Sequence, residues 1–258
     1  MTGGLTERDL TGTGTAESRW QGSAFLAGLP RIAPTELRPA GRVVVVAPHP
    51  DDETLGAGGS LAAWAAAGGT DVVVVAVTDG EGSHPGSPTL GPEELAVRRR
   101  DERRGALAAL GLGDAAVVRV GLPDGGVAGH RGALAEVLDD VLRPGDAVLA
   151  PVPGDGHPDH DVVAEVAGEV AARRGTTLWR YAVWLWHWAD PGGDHTDVGN
   201  DAVAVALPDA ARRAKQDAVA CFTTQVRPLS PDPRDAAILP PTVLSRLLRE
   251  VEVLWGTR

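Results

Sequence analysis

A single cysteine, Cys221, stands in a chain of 258 residues, so no internal disulfide can form and a reducing compartment, the cytoplasm by default, is expected. Long apolar runs are absent too. The longest, such as residues 61–67, fall well short of the roughly 20 residues that a membrane-spanning helix needs. Residues 1–15 lack the basic start and apolar core of a signal peptide, so none is expected. Positive charge is in short supply, 24 Lys and Arg against 35 Asp and Glu, for a formal net charge of −11. Nucleic acid and anionic membranes are recognised through clustered Lys and Arg, and that balance argues against both as partners.

With 43% hydrophobic residues the chain can build one full α/β core, and a second independent domain is not expected. Residues 1–40, rich in Gly, Thr and Pro, read as an irregular arm, and residues 41–258 as a single domain. From Arg42 onward β and α patterns alternate. Strands are predicted to start at Val43, Val72, Val117 and Ala147, with helices over residues 55–67, 93–110 and 134–142 between them. That order predicts a Rossmann-like, doubly wound, mostly parallel sheet with helices on both faces. The dinucleotide fingerprint is missing, because no G-x-G-x-x-G follows the first strand. Gly56, Gly58 and Gly59 come later, where they signal close packing. Further on, residues 181–188 read as an aromatic strand with Trp184, Trp186 and Trp188 on one face. Residues 201–206 read as a strand, and 209–220 and 243–254 as helices.

The first strand carries the chemistry. Val43-Val44-Val45-Val46 suits a strand covered on both faces, and Pro48 and Pro50 stop it. His49, Asp51, Asp52 and Glu53 therefore fall on a loop at the strand's carboxyl end, where open α/β sheets bind ligands. Three carboxylates beside a histidine repel one another unless a cation joins them. A solvated turn capping the next helix would use the same residue types. A second strand end favours the cation: Asp155, His157, Asp159 and His160 follow the apolar run 147–150. If Pro158 opens a helix, His157 and His160 lie one turn apart and can face one point.

At these residues the chain resembles the PIG-L or LmbE-like family of zinc-dependent N-deacetylases, whose hallmark is a strand followed by (A/P)HPDDE and a later HPDH. The resemblance extends from about Arg42 to the C-terminus. Arg99-Arg100-Asp101-Glu102 looks like the family's R-x-x-E helix, and Pro123-Asp124-Gly125 like its PDG turn. It implies Zn2+, with Fe2+ or Co2+ as alternatives, held by His49, Asp52 and His160. Asp51 would take the proton of the attacking water, and His157, as imidazolium, would stabilise the oxyanion. Asp159 would orient His157 and raise its pKa, while Arg99 and Asp124 would contact the sugar. Some relatives carry a tyrosine two residues before the first HPDH histidine, where this chain has Asp155, whose role the sequence leaves open between substrate contact and turn former.

The expected activity is removal of an N-acyl group, acetyl foremost, from the 2-amino group of a glucosamine-type sugar or conjugate. The expected partner is therefore a small amino-sugar substrate, and a homo-oligomer is compatible with it. An amidase acting on a larger thiol or glycoside conjugate is the near alternative. A carbohydrate- or metal-binding module without catalysis is the distant one.

Overall fold

The computed structural model describes residues 10, 12–193 and 201–256. Its strands are β1 (Arg31–Ile32), β2 (Val43–Ala47), β3 (Val72–Thr78), β4 (Ala116–Leu122), β5 (Ala147–Pro151), β6 (Thr177–Tyr181), β7 (Ala202–Ala206) and β8 (Val251–Gly256). The helices before β3 are α1 (Glu17–Gln21), α2 (Ala24–Gly28), α3 (Pro34–Leu37) and α4 (Asp52–Ala67). After β3 come α5 (Pro92–Ala109), α6 (Arg131–Val141), α7 (Pro158–Arg174), α8 (Leu185–Trp188), α9 (Asp209–Ala220), α10 (Thr223–Val226) and α11 (Pro241–Leu247).

All eight strands join one sheet in the order β1-β7-β8-β6-β5-β2-β3-β4. Pairings are parallel except those of β8, which runs antiparallel to β6 and β7. The valine run explains the centre. β2 is buried at every residue between β3 and β5, with Val43 opposite both Val72 and Ala147. Its side chains alternate faces: Val43 and Val45 join the cluster containing Leu55, Leu61 and Leu107, while Val44 and Val46 join Leu134, Leu138 and Val163. Each buried valine contributes on the order of 1.5–3 kcal/mol, so this strand cannot slip without losing both layers.

From β2 the chain turns to β3 on one side and later returns to β5 on the other, so β2 and β5 flank the topological switch point. Both histidine-bearing loops leave the carboxyl ends of these two neighbours. The glycines of α4 keep that helix close: a Cβ on Gly56 would lie 2.1 Å from the Tyr181 ring, and one on Gly59 would lie 2.4 Å from Leu207.

Three local readings are overturned. Residues 181–188 are not a strand, because β6 ends at Tyr181 and Leu185–Trp188 is a helical turn; Trp186 enters the core while Trp184 stays half-buried. Residues 243–254 are not one helix, because α11 stops at Leu247 and 251–256 pair between β6 and β7. Long-range ladder bonds override the local pattern there. The segment before Arg42 is less irregular than its composition suggests, forming α1 to α3 and the β1 pairing with β7. Among the described residues no helix is long and apolar enough to cross a membrane.

Candidate active site

Pro48 and Pro50 end β2, and the loop between the strand and α4 is held by its neighbours. Thr78 of β3 donates its N–H and Oγ1–H to the Pro48 carbonyl at 3.0 and 2.9 Å. Asp51 caps α4 with φ at 132°, the only positive φ outside glycine among the described residues. Such a conformation costs on the order of 1–3 kcal/mol and persists only where its surroundings over-determine it. Here Arg99 of α5 does so, its guanidinium 3.1 Å from Asp51 Oδ2 while donating to the carbonyls of Pro50 and Gly80.

Across the switch point His157 caps α7, and Pro158 occupies the first helical position. This brings His160 against the first loop. His49 Nδ1, His160 Nε2 and Asp52 Oδ2 form a triangle whose three edges are each 3.2 Å. Partners on the far nitrogens show which atoms are bare. His160 Nδ1 lies 2.8 Å from Asp155 Oδ2, and His49 Nε2 lies 3.0 Å from Asp124 Oδ1 and 3.4 Å from Asp159 Oδ2. With protons on those outer nitrogens, lone pairs from two imidazoles and one carboxylate converge on a single point.

A metal fits this point. An ion about 2.0–2.1 Å from each donor in tetrahedral geometry spaces its donors by roughly 3.3–3.4 Å, close to the observed edges. Carboxylates behind both imidazoles are the usual orienting partners of metal-binding histidines. Two other groupings, His49 with His157 and His160, and His49 with Asp124 and Asp159, come within 4.8 Å. In the second grouping His49 Nε2 faces Asp124 and Asp159 at 3.0 and 3.4 Å, whereas the 3.2 Å triangle uses the opposite nitrogen, Nδ1. Without a cation, protons substitute. Although burial opposes it, Asp52 and Asp155 push the His160 imidazole up to about 9, and His49, beside Asp124 and Asp159, is raised as well.

Residues 44–171 match the model of the PIG-L family, the GlcNAc-PI de-N-acetylases. The chain carries a PIG-L family domain. Solved structures agree on the fold. A triple mutant of a deacetylase of the teicoplanin biosynthetic pathway is 20% identical over 83% of this chain and 97% of that one, with TM-score 0.58. N,N'-diacetylchitobiose deacetylase from Pyrococcus horikoshii is 22% identical over 70% of each chain, with TM-score 0.54. The deacetylase of an antimicrobial pseudoaglycone is 25% identical over 76% of this chain and 86% of that one, with TM-score 0.54. No curated protein matches the chain in sequence.

Within and around the PIG-L domain the remaining site residues take positions that partly correct the sequence reading. His157 sits beside the triangle, its ring centroid 4.7 Å from His49 and 5.1 Å from His160. Its Nδ1 accepts the Asp159 backbone N–H at 3.2 Å. Asp159 does not grip the His157 ring; its carboxylate accepts from Gly125 N–H and Val127 N–H and backs His49. Burial, with His49 and His160 close by, pushes His157 down to about 3, opposite to the expected rise. His157 is thus a neutral imidazole that presents an Nε2–H.

Arg99 and Asp124, expected at the sugar, are engaged by the protein. Arg99 is buried beneath Asp51, and Asp124 accepts from His49 on one oxygen and from Gly82 N–H on the other. Asp155, open in the sequence, is buried: besides His160 it accepts the backbone N–H groups of Val183, Trp184 and Leu185, which nucleates α8. Tyr181 lies away from this chemistry, donating to the Val46 carbonyl.

Above the triangle lies a cavity of about 800 Å3 whose walls include Ser83, Trp184, Gln225 and the 233–240 loop. The Gly- and Ser-rich loop after β3 was expected there. Trp184 was read in the sequence only as part of an aromatic strand, and Gln225 and the 233–240 loop carried no sequence signal, because they reach the site only through the fold.

Proposed function

We propose that the chain is a metal-dependent hydrolase that removes the N-acetyl group from a 2-acetamido sugar of the glucosamine type, with zinc the favoured ion. The observation that carries this is the 3.2 Å donor triangle flanked by one buried carboxylate, Asp51, and one neutral imidazole, His157. The deacetylases of the chitobiose, teicoplanin and pseudoaglycone systems share its fold, which supports the same class of substrate.

His49, Asp52 and His160 would hold the ion, which when bound supplies Lewis acidity for the amide carbonyl and a water of lowered pKa. Asp51 accepts the proton of the attacking water. Burial pushes its carboxyl up to about 7 against the pull of Arg99, which suits a base working near neutrality. Charge developing on the carbonyl oxygen draws the His157 Nε2–H, and the proton held by Asp51 passes to the departing amine. Arg99 keeps Asp51 in its strained conformation, and Asp124, Asp155 and Asp159 aim the two imidazoles. A reducing, cytoplasmic setting is consistent with the unpaired Cys221.

The test is amine release from methyl 2-acetamido-2-deoxyglucoside by zinc-loaded protein, with loss on chelation and return on adding zinc. No amine from this or any acetamido sugar, with one ion bound per chain, would overturn the reading.

A further inference from the structure

The cavity over the triangle has two unlike ends. Its floor is closed and polar, with His49, Asp51 and Asp52 each at most 7% exposed. Its mouth is open and apolar. Pro233 and Ala236 are exposed there, and Trp184, Ala237, Ile238 and Pro240 are half-buried. Leu239 and Val243 back them from the core. About 800 Å3 lies in the upper part of the roughly 300–1,000 Å3 that drug-sized ligands fill, more than one amino-sugar ring requires.

The wall is held in place from three directions. The N–H of Trp184 shares the Asp155 carboxylate with His160, so the wall and a candidate metal ligand hang on one group. Asp235, fully buried, accepts from the hydroxyls of Ser87, Thr89 and Ser230, and Leu239 N–H donates to the Gln225 carbonyl, which pins the loop to its neighbours. On the arm, Arg246 donates to the carbonyls of Thr13 and Thr15, and Thr15 N–H donates to His187 at 2.7 Å, which sets Gly12 at the rim.

Charge narrows the occupant. Among the described residues that line the cavity, the guanidinium groups are those of Arg99 and Arg234. Arg99 is held by Asp51 and two carbonyls, and Arg234 lies 2.9 Å from Asp232. Among the described lining residues both guanidinium groups thus already have a carboxylate partner, and a phosphate or carboxylate would have to compete for them to offset its transfer from water.

We propose that this wall binds an apolar, uncharged aglycone on the sugar whose acetamido group meets the triangle; the inference rests on the deacetylase reading above. The aglycone, rather than the acyl chain, is assigned to the wall because the reacting amide must sit on the closed floor, leaving only the larger leaving fragment to extend to the open mouth.

Four 2-acetamido-2-deoxyglucosides separate the outcomes: methyl, hexyl and 5-carboxypentyl glycosides with acetyl on nitrogen, and the methyl glycoside with hexanoyl instead. We expect kcat/KM for hexyl to exceed methyl by at least tenfold, mainly through KM, and the carboxypentyl glycoside to lose that gain. Ile238→Asp should cut the hexyl-to-methyl ratio about tenfold. Equal methyl and hexyl values, preference for the carboxylate, or a gain from hexanoyl in place of hexyl would each overturn the assignment. Hexyl glucoside, which has no amide to cleave, tests the wall apart from the chemistry. Binding measured calorimetrically and weakened by Ile238→Asp supports the wall even if no amide is hydrolysed, whereas no binding overturns it.

Discussion

Two buried clusters of charge meet α4, and they are built on opposite terms. At its N-terminus six carboxylates, Asp51, Asp52, Glu53, Asp124, Asp155 and Asp159, gather around the imidazoles of His49, His157 and His160, and among the described residues their guanidinium partners are Arg99 and Arg103. Farther along, Glu252 of β8 accepts from Gly59 N–H, Ser60 N–H and Ser60 Oγ–H, while Lys215 of α9, the only lysine in the chain, donates to Glu252 and to the Leu55 carbonyl. The second cluster closes its own charge and fills its hydrogen bonds. The first does neither, and Glu53 has no hydrogen-bond partner on either oxygen. A buried charged group with its partners satisfied is architecture; one left with surplus negative charge and converging lone pairs calls for a cation.

Breaking the closed cluster should have the largest effect on stability. Lys215→Met leaves Glu252 buried without its counter-charge, and urea unfolding should show a loss of about 3–5 kcal/mol with metal content unchanged. Adding Glu252→Leu should restore much of it. A loss under about 1 kcal/mol would mean that the pair does not brace α4.

In the open cluster, adjacent carboxylates should separate by function. Asp51→Asn should keep the metal and lose about 10²–10⁴-fold in turnover, since an amide cannot take the water's proton. Asp52→Asn should lose the metal first and regain part of its activity in excess zinc. Metal stoichiometry and single-turnover rates on both variants decide it, and the reverse pattern would exchange the two assignments.

Removing the metal should change the sign of the pH dependence. In the chelated protein His160 titrates at about 9 instead of near 6.5, so its stabilising proton is fully in place below pH 6.5 and is lost as pH rises through 9. Unfolding free energy should fall over that window by on the order of 3 kcal/mol at most. With zinc bound, the ligands must be deprotonated, so stability should instead rise with pH. Parallel slopes in the two forms would argue that the cluster holds no ion.

The smallest of these effects tests a link between the metal and the cavity wall. Asp155→Asn should weaken zinc affinity by about 10–100-fold, because His160 loses its orienting carboxylate. The same variant should speed hydrogen exchange at Val183, Trp184 and Leu185, whose N–H groups it holds. Faster exchange without weaker zinc binding would confine Asp155 to α8.

How much was legible follows from the range of each interaction. The valine run, the two prolines and the histidine-carboxylate pairs are local, so the strand, its abrupt end and the chemistry of the loop could be read in order. Asp124 and Arg99 were recognised as site residues and do line the cavity, but the protein partners they also meet could not be read, because those depend on α5 and the loop after β4 packing over β2. His157 was misread for the same reason: whether Asp159 faces its ring or its neighbour's is a matter of tertiary position. Lys215 and Glu252 lie 37 residues apart and meet α4 from other elements, so no pattern along the chain joins them.

By itself, then, the sequence determined what short-range sterics and burial determine: a parallel α/β core, strands that stop at His49 and near Asp155, and donor types suited to a divalent ion. Only the tertiary structure decided that β8 enters the sheet in reverse, that His49, Asp52 and His160 close to 3.2 Å, and that an apolar mouth lies above them. Distances of that kind are set by hydrogen bonds and packing between residues more than a hundred positions apart, which chain order does not encode locally.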